Sequence, residues 1–343
     1  MTPSKPPVAS HVAQSLAPYV ALIGGANLDI SAKPHAKALL GDSNPGSILC
    51  SPGGVARNVA ENLLRLGVDA RLLSVLGDDA FAAVLRQSAA AIDLDLNACI
   101  TLAGQRTATY LSLHGVDGDM GVAVNDMGIL EQLSPALLGR HSALLAGAAA
   151  LVVDCNVRPD VLEWLCEADY AGAGRAGASQ LAAVDKLAER PALFAEAVSV
   201  AKCYKLLPVL AQLHTLKANR LEAQALSGWS ITDTASAQAA ATALHQRGVG
   251  RVVISLGAEG VAWCDAQGHC GHHSAQPISM ASATGAGDAL LSGLVYGHVQ
   301  AMPLDLSVHF AMAYAELTLS STFANSPDLC VAAVRARLEA TNT

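Results

Sequence analysis

Short apolar runs alternate with segments of helical spacing along most of this chain. The apolar runs are typical of buried strands and lie at 20–23, 71–76, 150–154, 213–216 and 252–256. The helical segments follow them and lie at 56–66, 78–91, 160–167 and 219–227. Because strands that alternate with helices form parallel sheets, the pattern predicts an α/β fold with helices on both faces of a mostly parallel central sheet.

A second pattern, of paired strands, interrupts this alternation. Strand-like runs at 107–113 and 122–125 flank Asp117-Gly118, and an Asp-Gly pair between such runs is typical of a β-hairpin. Residues 30–50 also lack helical spacing. We therefore expect a small β-sheet lid, with strands from about 30–50 and 105–126, which covers one end of the main domain and excludes water from a reaction there.

Composition narrows the classes of protein that the chain can be. Its 343 residues are 52% hydrophobic, enough for one large domain over 19–338, and residues 1–18 are expected to form a loose tail. The net charge of −8 argues against a nucleic-acid partner. No apolar run reaches the roughly 18 residues of a membrane span, so no membrane contact is expected. Eight cysteines without a C-x-x-C pair favour reduced thiols and a cytoplasmic location.

The stretch from Thr284 to Asp288 carries the clearest chemical signal. It reads Thr-Gly-Ala-Gly-Asp and runs into an apolar helical pattern. The free N–H groups and the dipole of a helix start attract phosphate, and glycines let an anion approach the backbone closely. Asp288 repels an anion, so it makes sense there as a base for a hydroxyl that attacks a phosphate. A glycine-rich turn with Asp288 as an ordinary helix-start residue explains the stretch equally well.

Two polar clusters near the beginning of the chain have the chemistry of a sugar site. Asn27 and Asp29 follow the first predicted strand and point the same way on an extended turn, where they offer a donor and acceptors to vicinal hydroxyls. A simple Asx turn is the stronger explanation of this pair alone. Gly53-Gly54 precede a helix with Asn58 in its first turn, where an amide could face a polyol.

Two further clusters follow later strands. Asn219 and Glu222 have the spacing of a capping box, and they could also orient waters around Mg²⁺ near phosphates. Ser255, Gly257 and Gly260 suit a loop that lies along a nucleotide, although a plain hairpin turn explains them nearly as well.

Two other patterns are assigned no binding or catalytic role. The cysteines and histidines at 264–273 have the spacing C-x5-C-x-H-H, which matches no closed zinc pattern, and a turn at 265–268 would distribute them over two strands. The G-x-G-x-x-G at 172–177 lies in a Gly/Ala-rich stretch at 168–178. It lacks the preceding strand that a dinucleotide site requires, so we expect a surface loop.

Three of these motifs, taken in order, resemble those of a known family. Gly53-Gly54 with Asn58, then Asn219 with Glu222, then 285–288 resemble the ribokinase-like (phosphofructokinase B type) sugar and nucleoside kinases. The resemblance runs from about residue 20 to 338 and implies a three-layer sandwich with a small β-sheet lid. Within that family the pseudouridine kinases are most similar, at 42–46, 51–58, 124–127, 154–156, 214–222 and 325–328.

The resemblance also implies a role for each site residue. Asp288 would be the catalytic base, and the anion site would be formed by Gly285, Ala286 and Gly287. The ribose would be held by Asn27, Asp29, Gly53, Gly54 and Asn58, and the nucleobase by the lid residues Thr109, Asn125 and Asp126. The nucleotide would be bound by Asn219, Ser255, Gly257, Gly260, Thr284, Gly285, Gly287 and Asn325. Asn219 and Glu222 would organise Mg²⁺ through water.

The implied activity is ATP-dependent phosphorylation of the ribose 5′-hydroxyl of pseudouridine. The resemblance alone also implies K⁺ as an activator and a homodimer paired through the lid. Two alternatives stay open: the same chemistry on ribose, adenosine or another nucleoside, and a nucleoside-binding relative that transfers no phosphate.

Three features depart from the family pattern. They are Ser282-Ala283 before the 284–288 motif, the 168–178 insertion, and Glu196-Ala197 where pseudouridine kinases tend to have Asp-Pro. Glu196-Ala197 favours the relative that transfers no phosphate, and the intact 285–288 motif opposes it.

Overall fold

The computed structural model describes residues 18–168, 190–279, 284–321, 325–326 and 328–341. The predicted tail therefore lies outside the described residues except for Pro18, and the stretch at 168–178 lies outside them except for Ala168. Ser282-Ala283 lie outside them as well. The roles expected for these segments, and the division of the chain into tail and domain, stay predictions.

An eight-stranded sheet forms the centre of the molecule. Its strands, from one edge to the other, are β14 (Cys270–His273), β13 (Val261–Cys264), β12 (Arg251–Ser255), β11 (Thr215–Asn219), β10 (Ala192–Glu196), β9 (Ala150–Asp154), β1 (Tyr19–Ile23) and β4 (Asp69–Leu73). All neighbouring pairs are parallel except β12 with β13 and β13 with β14. The predicted mostly parallel α/β sheet is therefore confirmed.

Helices connect many of these strands, and three of the described helices follow the last strand. The α-helices described are α1 (Val55–Arg65), α2 (Ala80–Ala91), α3 (Pro135–Gly139), α4 (Ser142–Ala146), α5 (Pro159–Glu167), α6 (Val200–Cys203), α7 (Arg220–Ser227), α8 (Thr234–Gln246), α9 (Ala286–Val299), α10 (Leu304–Leu319) and α11 (Val331–Thr341). Short 3₁₀ segments lie at Gly128–Gln132, Tyr204–Gln212 and Gly257–Glu259. No helix among the described residues is both long and apolar enough to cross a membrane.

The alternation of side chains along β1 explains why the sheet is covered on both faces. Val20 and Leu22 pack into one buried cluster with α1, α9 and α10, while Ala21 and Ile23 pack into a second cluster with α5 and α8. Successive side chains of a strand point to opposite faces, so a fully apolar strand must be covered twice. The result is the three-layer arrangement that the resemblance implies.

A separate four-stranded sheet has the order β3 (Gly46–Gly53), β2 (Asn27–Pro34), β7 (Thr109–His114) and β8 (Met120–Asp126). We call it the small sheet. The hairpin predicted at Asp117-Gly118 is confirmed, because β7 and β8 pair antiparallel around it. In β2 and β3, Asn27 pairs with Gly53, which joins the two polar clusters predicted near the beginning of the chain. The third sheet contains β5 (Val75–Gly77) and β6 (Ile100–Leu102).

Several details differ from the sequence-based expectations. The strand β10 was not predicted, and the run at 71–76 is divided into β4 and β5. Cys264 lies in β13, and Cys270, His272 and His273 lie in β14, as predicted, whereas His269 lies in the turn between the two strands. However, β13 and β14 pair Cys264 directly with Cys270, and these two residues form a disulfide. The expectation of eight reduced thiols is therefore wrong for this pair, because a tight turn brings two cysteines six residues apart face to face.

Candidate active site

The turn Gly24-Gly25, which follows β1, contacts the turn Gly53-Gly54, which precedes α1. Gly54 has a φ of +99°, and a β-carbon at this position would collide with the carbonyl group of Gly25. A β-carbon on Gly53 would collide with the carboxylate of Asp29. Because neither position has room for a side chain, the two glycines let the start of α1 lie directly on the turn after β1.

Asp154 joins these turns from the neighbouring strand. Its side chain is fully buried at the end of β9, and Oδ2 accepts hydrogen bonds from the N–H groups of Gly25 at 2.8 Å and Ala56 at 3.1 Å. Burial raises the pKa of Asp154, while the bonds from Gly25, Asn156 and Ala56 lower it. The carboxylate therefore fixes the floor of a cleft at the carboxyl ends of the strands, where open α/β sheets bind ligands.

Asn27 and Asp29 lie on the wall above this floor. The side chain of Asn27 donates to Asp29 Oδ1 at 2.5 Å, so the two side chains do point the same way. Burial raises the pKa of Asp29, against the hydrogen bond from Asn27 and the charge of Arg57. The pair offers a carboxylate and an amide to the same small region of the cleft.

The start of α9 forms the opposite side of the cleft. Gly285 precedes the helix with a φ of +86°, in the left-handed region that glycine adopts without strain. Within the described chain, α9 has no hydrogen bond from a side-chain cap. The first N–H groups of such a helix are donors for an anion, and Ala286 and Gly287 belong to this first turn.

Asp288 connects the two sides of the cleft. The amide of Asn58, in the first turns of α1, donates to Asp288 Oδ2 at 2.9 Å, although the residues are 230 positions apart. Burial raises the pKa of Asp288 to about 6, while the bond from Asn58 and the charge of Lys217 lower it. A carboxylate held in this way next to an open helix start can accept a proton near neutral pH.

Asn325 lies against the same part of α1. Its amide donates to Asn58 Oδ1 and to Glu61 Oε2, both at 3.1 Å. The structure thus brings Asn325 next to Asn58, a residue predicted to hold the sugar. The nucleotide-binding role expected for Asn325 stays a prediction.

The predicted capping box at the start of α7 is confirmed. Asn219 Oδ1 accepts from the N–H of Glu222 at 3.0 Å, and the carboxylate of Glu222 accepts from the backbone and side-chain N–H groups of Asn219, both at 2.7 Å. Both carboxylate oxygens are therefore engaged. The cap uses one acceptor site on each oxygen, and the role of the pair in holding Mg²⁺ stays a prediction.

The loop after β12 lies beside this helix start. Ser255 pairs in register with Asn219, and Gly257 and Gly260 stand in the hairpin that connects β12 to β13. A β-carbon on Gly260 would collide with the backbone of His273, whereas nothing lies within 4 Å of one on Gly257. The plain hairpin is confirmed, and the open side of Gly257 leaves room for a ligand along the loop.

The small sheet contributes a cavity of about 340 Å³ next to the cleft. Asn125 and Asp126 line it together with Asn156 and Lys202, whose Nζ donates to Asn156 Oδ1 at 2.6 Å. Thr109 does not line it, and its hydroxyl donates to the carbonyl of Thr107. Asn156 also lies close to Gly25, so one lining residue of the cavity stands beside the turn after β1.

Sequence reasoning missed several residues that the fold brings to this site. They are Asp154, Asn156, Glu196, Lys202 and Lys217. Asp154, Glu196 and Lys217 share one signal, since each is a charged residue at or near the carboxyl end of an apolar strand. Lys202 has no such signal, because it lies in a short helix whose position depends on the tertiary fold.

Comparisons with known proteins agree with this geometry. The model of the pfkB family of carbohydrate kinases matches residues 17–329. A pseudouridine kinase of Escherichia coli (strain K12) is 36% identical over 94% of this chain and 96% of its own length. An uncharacterized sugar kinase of the same organism is 34% identical over 91% of this chain and 81% of its own length.

Solved structures have the same fold. A putative sugar kinase from Clostridium perfringens is 28% identical, with a TM-score of 0.79 over 95% of this chain and 96% of that one. An Arabidopsis thaliana ribokinase determined with ribose and ATP is 17% identical, with a TM-score of 0.77 over 94% of this chain and 98% of that one. The chain is therefore a phosphotransferase with an alcohol group as acceptor, and it belongs to the pfkB family of carbohydrate kinases.

Proposed function

We propose that this kinase transfers the terminal phosphoryl group of ATP to the ribose 5′-hydroxyl of pseudouridine. The observation that carries the proposal is the polar cavity beside the small sheet, whose lining residue Asn156 lies close to the turn at Gly25. A free sugar fills only the cleft, whereas a nucleoside also needs a chamber for its base. The similarity to a pseudouridine kinase over almost the whole chain supports the same choice.

The groups in the cavity complement the edge of a uracil ring. Its two carbonyl groups need donors, and the ammonium of Lys202 and the amides of Asn125 and Asn156 supply them. Its ring N–H groups need acceptors, and Asp126 and Glu131, which also line the cavity, carry carboxylates. Pseudouridine has one ring N–H more than uridine, so a carboxylate in this cavity has a partner that uridine lacks.

In the proposed reaction Asp288 accepts the proton of the 5′-hydroxyl, and the oxygen attacks the γ-phosphorus of ATP as the bond to the β–γ bridging oxygen breaks. Asn58 orients the carboxylate through its hydrogen bond. The N–H groups at 285–287 face the charge that develops on the phosphoryl oxygens. The ribose is held between Asp29, with Asn27, and the Gly53-Gly54 turn.

The nucleotide is proposed to extend from Thr284 towards the loop with Ser255, Gly257 and Gly260, with Asn325 near its other side. Asn219 and Glu222 would hold Mg²⁺ through water, which neutralises phosphate charge. K⁺ is proposed only as an activator, and comparison of rates in KCl and NaCl tests it.

A homodimer through the small sheet is proposed on separate grounds. The side chains on one face of this sheet include Ile48, Val122 and Val124, each more than half exposed. A contiguous apolar face of this kind is typical of an interaction surface. The mass of the protein in solution, measured by light scattering, tests this proposal.

The decisive experiment measures ADP release with ATP and a panel of acceptors: pseudouridine, uridine, adenosine and ribose. We expect pseudouridine to have the highest kcat/KM. Uridine should be weaker by roughly 100-fold, because an acceptor left without its donor costs about 1–3 kcal/mol. A faster rate with ribose or adenosine would reject the substrate proposal and keep the kinase. Tight nucleoside binding without ADP release would favour the non-transferring relative.

A variant of the cavity sharpens this result. Lys202→Met removes a proposed donor to the base, so KM for pseudouridine should rise about 10-fold while KM for ATP stays the same. Lys33→Met is the matched control, because Lys33 is an exposed lysine of β2 that does not line the cavity. Equal effects of the two variants on KM for pseudouridine would contradict a base site in this cavity.

A further inference from the structure

A buried lysine approaches the open start of α9. Lys217, in β11, has only 4% of its surface exposed, and its Nζ donates to Glu196 Oε1 at 2.8 Å. A β-carbon placed on Gly287 would lie 2.9 Å from the same Nζ. The ammonium group therefore lies against the first turn of α9, and the missing side chain of Gly287 makes this approach possible.

The hydrogen bonds of this ion pair are incomplete. An ammonium group has three N–H donors, and among the described residues the bond to Glu196 is the one that Lys217 Nζ makes. Glu196 Oε2 is also buried and has no hydrogen-bond partner within the described chain. Buried polar groups are almost always paired, so unused donors and an unused acceptor together indicate that a ligand completes this site.

The surrounding charges keep the lysine protonated. Burial lowers the pKa of Lys217, but Glu196, Glu222 and Asp288 raise it, and the net shift is upward. A buried ion pair contributes little stability compared with apolar residues of similar size, because both charges lose their hydration. Stability alone therefore gives no strong reason for a charged pair at this position.

We propose that Lys217 is a catalytic residue that contacts the transferred phosphoryl group through Nζ, and that Glu196 is the positioning residue that holds it there. The inference rests on the proposed phosphoryl transfer but not on the identity of the acceptor. When the acceptor oxygen bonds to the γ-phosphorus and its proton passes to Asp288, the bond to ADP breaks and negative charge spreads over the phosphoryl oxygens. The ammonium of Lys217 stabilises this charge next to the N–H groups at 285–287.

The sequence departure at Glu196 acquires a function in this proposal. The register of the sheet places Glu196 directly beside Lys217 on the next strand. Glu196-Ala197 was a reason to suspect a relative that transfers no phosphate. With Lys217 as its partner, Glu196 instead becomes part of the transfer site.

The test uses three variants and two measurements. Lys217→Met keeps the length of the side chain and removes the charge, and Lys217→Met with Glu196→Gln removes both charges so that neither stays buried alone. Arg71→Met is the control, because Arg71 pairs with Asp69 on the edge strand β4, separated from β11 by three strands. Circular dichroism verifies that each variant is folded.

The first measurement is kcat with the best acceptor of the panel. We expect both Lys217 variants to lose roughly 100-fold or more in kcat, as for removal of one donor to a developing oxyanion, with KM for the acceptor unchanged. A purely structural ion pair predicts the opposite for the double variant, because a neutral pair of similar size would restore kcat. Recovery of kcat in the double variant would overturn the proposal.

The second measurement is the affinity for ATP and for ADP by calorimetry, which needs no turnover. Loss of Lys217 should weaken ATP about 10-fold and leave ADP unchanged, because only ATP carries the phosphoryl group that Nζ contacts. Equal weakening of both nucleotides, or of neither, would overturn the assignment of Lys217. Absence of ADP release by the wild-type protein with every acceptor would instead reject the proposed function, and the ATP-to-ADP comparison would still test Lys217.

Discussion

The starts of α1 and α9 face each other across the cleft, and they differ in one respect. Each follows a glycine with positive φ, Gly54 at +99° and Gly285 at +86°, and neither glycine has a side chain to cap its helix. At α1, the N–H groups of Ala56 and Arg57 donate to Asp154 and to the carbonyl of Gly25, both at 3.1 Å. At α9, no side chain among the described residues caps the helix.

This difference gives the two helix starts different roles: the start of α1 is structural, and the start of α9 is a candidate binding site. A helix start whose N–H groups are already bonded holds the backbone in place and has little left for a ligand. A start without a cap keeps its donors for an anion. The helices α2, α7 and α8 have their own side-chain caps, at Asp79, Asn219 and Asp233. Among these helices, α9 is therefore the one prepared to bind phosphate, and Asp288 stands in its first turn.

The largest effect is expected at Asp288. Asp288→Asn keeps the size of the side chain and can still accept the hydrogen bond from Asn58, but it cannot take a proton. We expect kcat to fall by roughly 10³-fold or more, with ATP affinity little changed, as measured by ADP release and calorimetry. Near-normal turnover would remove Asp288 from the role of base.

A measurement of thermal stability distinguishes the loss of a catalytic base in Asp288→Asn from misfolding of the variant. The pKa of Asp288 is raised by burial to about 6, so the folded state holds its proton more tightly than the unfolded state does. The ionised form is then disfavoured, and stability falls as the pH rises from about 4 to 6. Asp288→Asn lacks this penalty, so its Tm at pH 8 should be at least that of the wild type. A lower Tm would indicate that the loss of activity has a structural cause.

The next prediction concerns the start of α1, where the first N–H groups are already hydrogen-bonded. Gly54→Ala should destabilise the protein and raise KM for the acceptor, because the new β-carbon meets Gly25 in addition to the strain of positive φ. Gly67→Ala is the control, since Gly67 follows the C-cap of α1 with a φ of +76° and nothing lies within 4 Å of its β-carbon. Gly67→Ala should cost only the strain, about 1–2 kcal/mol in urea unfolding. Equal costs would mean that the contact with Gly25 is unimportant.

The two helix starts also mark what the sequence could and could not predict. Periodicity predicted most of the sheet and both helices, because apolar spacing is a local signal, and the motif at 284–288 is local as well. The contacts that Asp154 makes with the start of α1 and that Lys217 makes with the start of α9 are not local in sequence. Asp154 lies 98 residues from Ala56, and Lys217 lies 70 from Gly287. Such pairs depend on strand order, which no short pattern contains.

The pH dependence of the reaction gives a smaller and graded effect. The pKa of Asp288 is set mainly by burial, with Asn58 and Lys217 lowering it and Asp154 and Asp29 raising it to about 6. Because the base must be ionised, kcat/KM should fall about tenfold per pH unit below 6 and level off above it. The profile is measured from pH 5 to 8 at saturating MgATP. The residual activity of Asp288→Asn should lack this limb, and a flat wild-type profile would contradict the assignment.

The smallest effect is expected at a capped helix, α7. Asn219→Ala removes the N-cap and should lower stability by about 1 kcal/mol in urea unfolding. Asp233→Ala removes the corresponding capping box of α8, which lies outside the cleft, and should also lower stability. If Asn219 holds Mg²⁺ through water in addition, only Asn219→Ala should require more Mg²⁺ for half-maximal activity. Equal Mg²⁺ requirements in the two variants would reduce Asn219 to a cap, and would leave the uncapped start of α9 as the principal site for the phosphates.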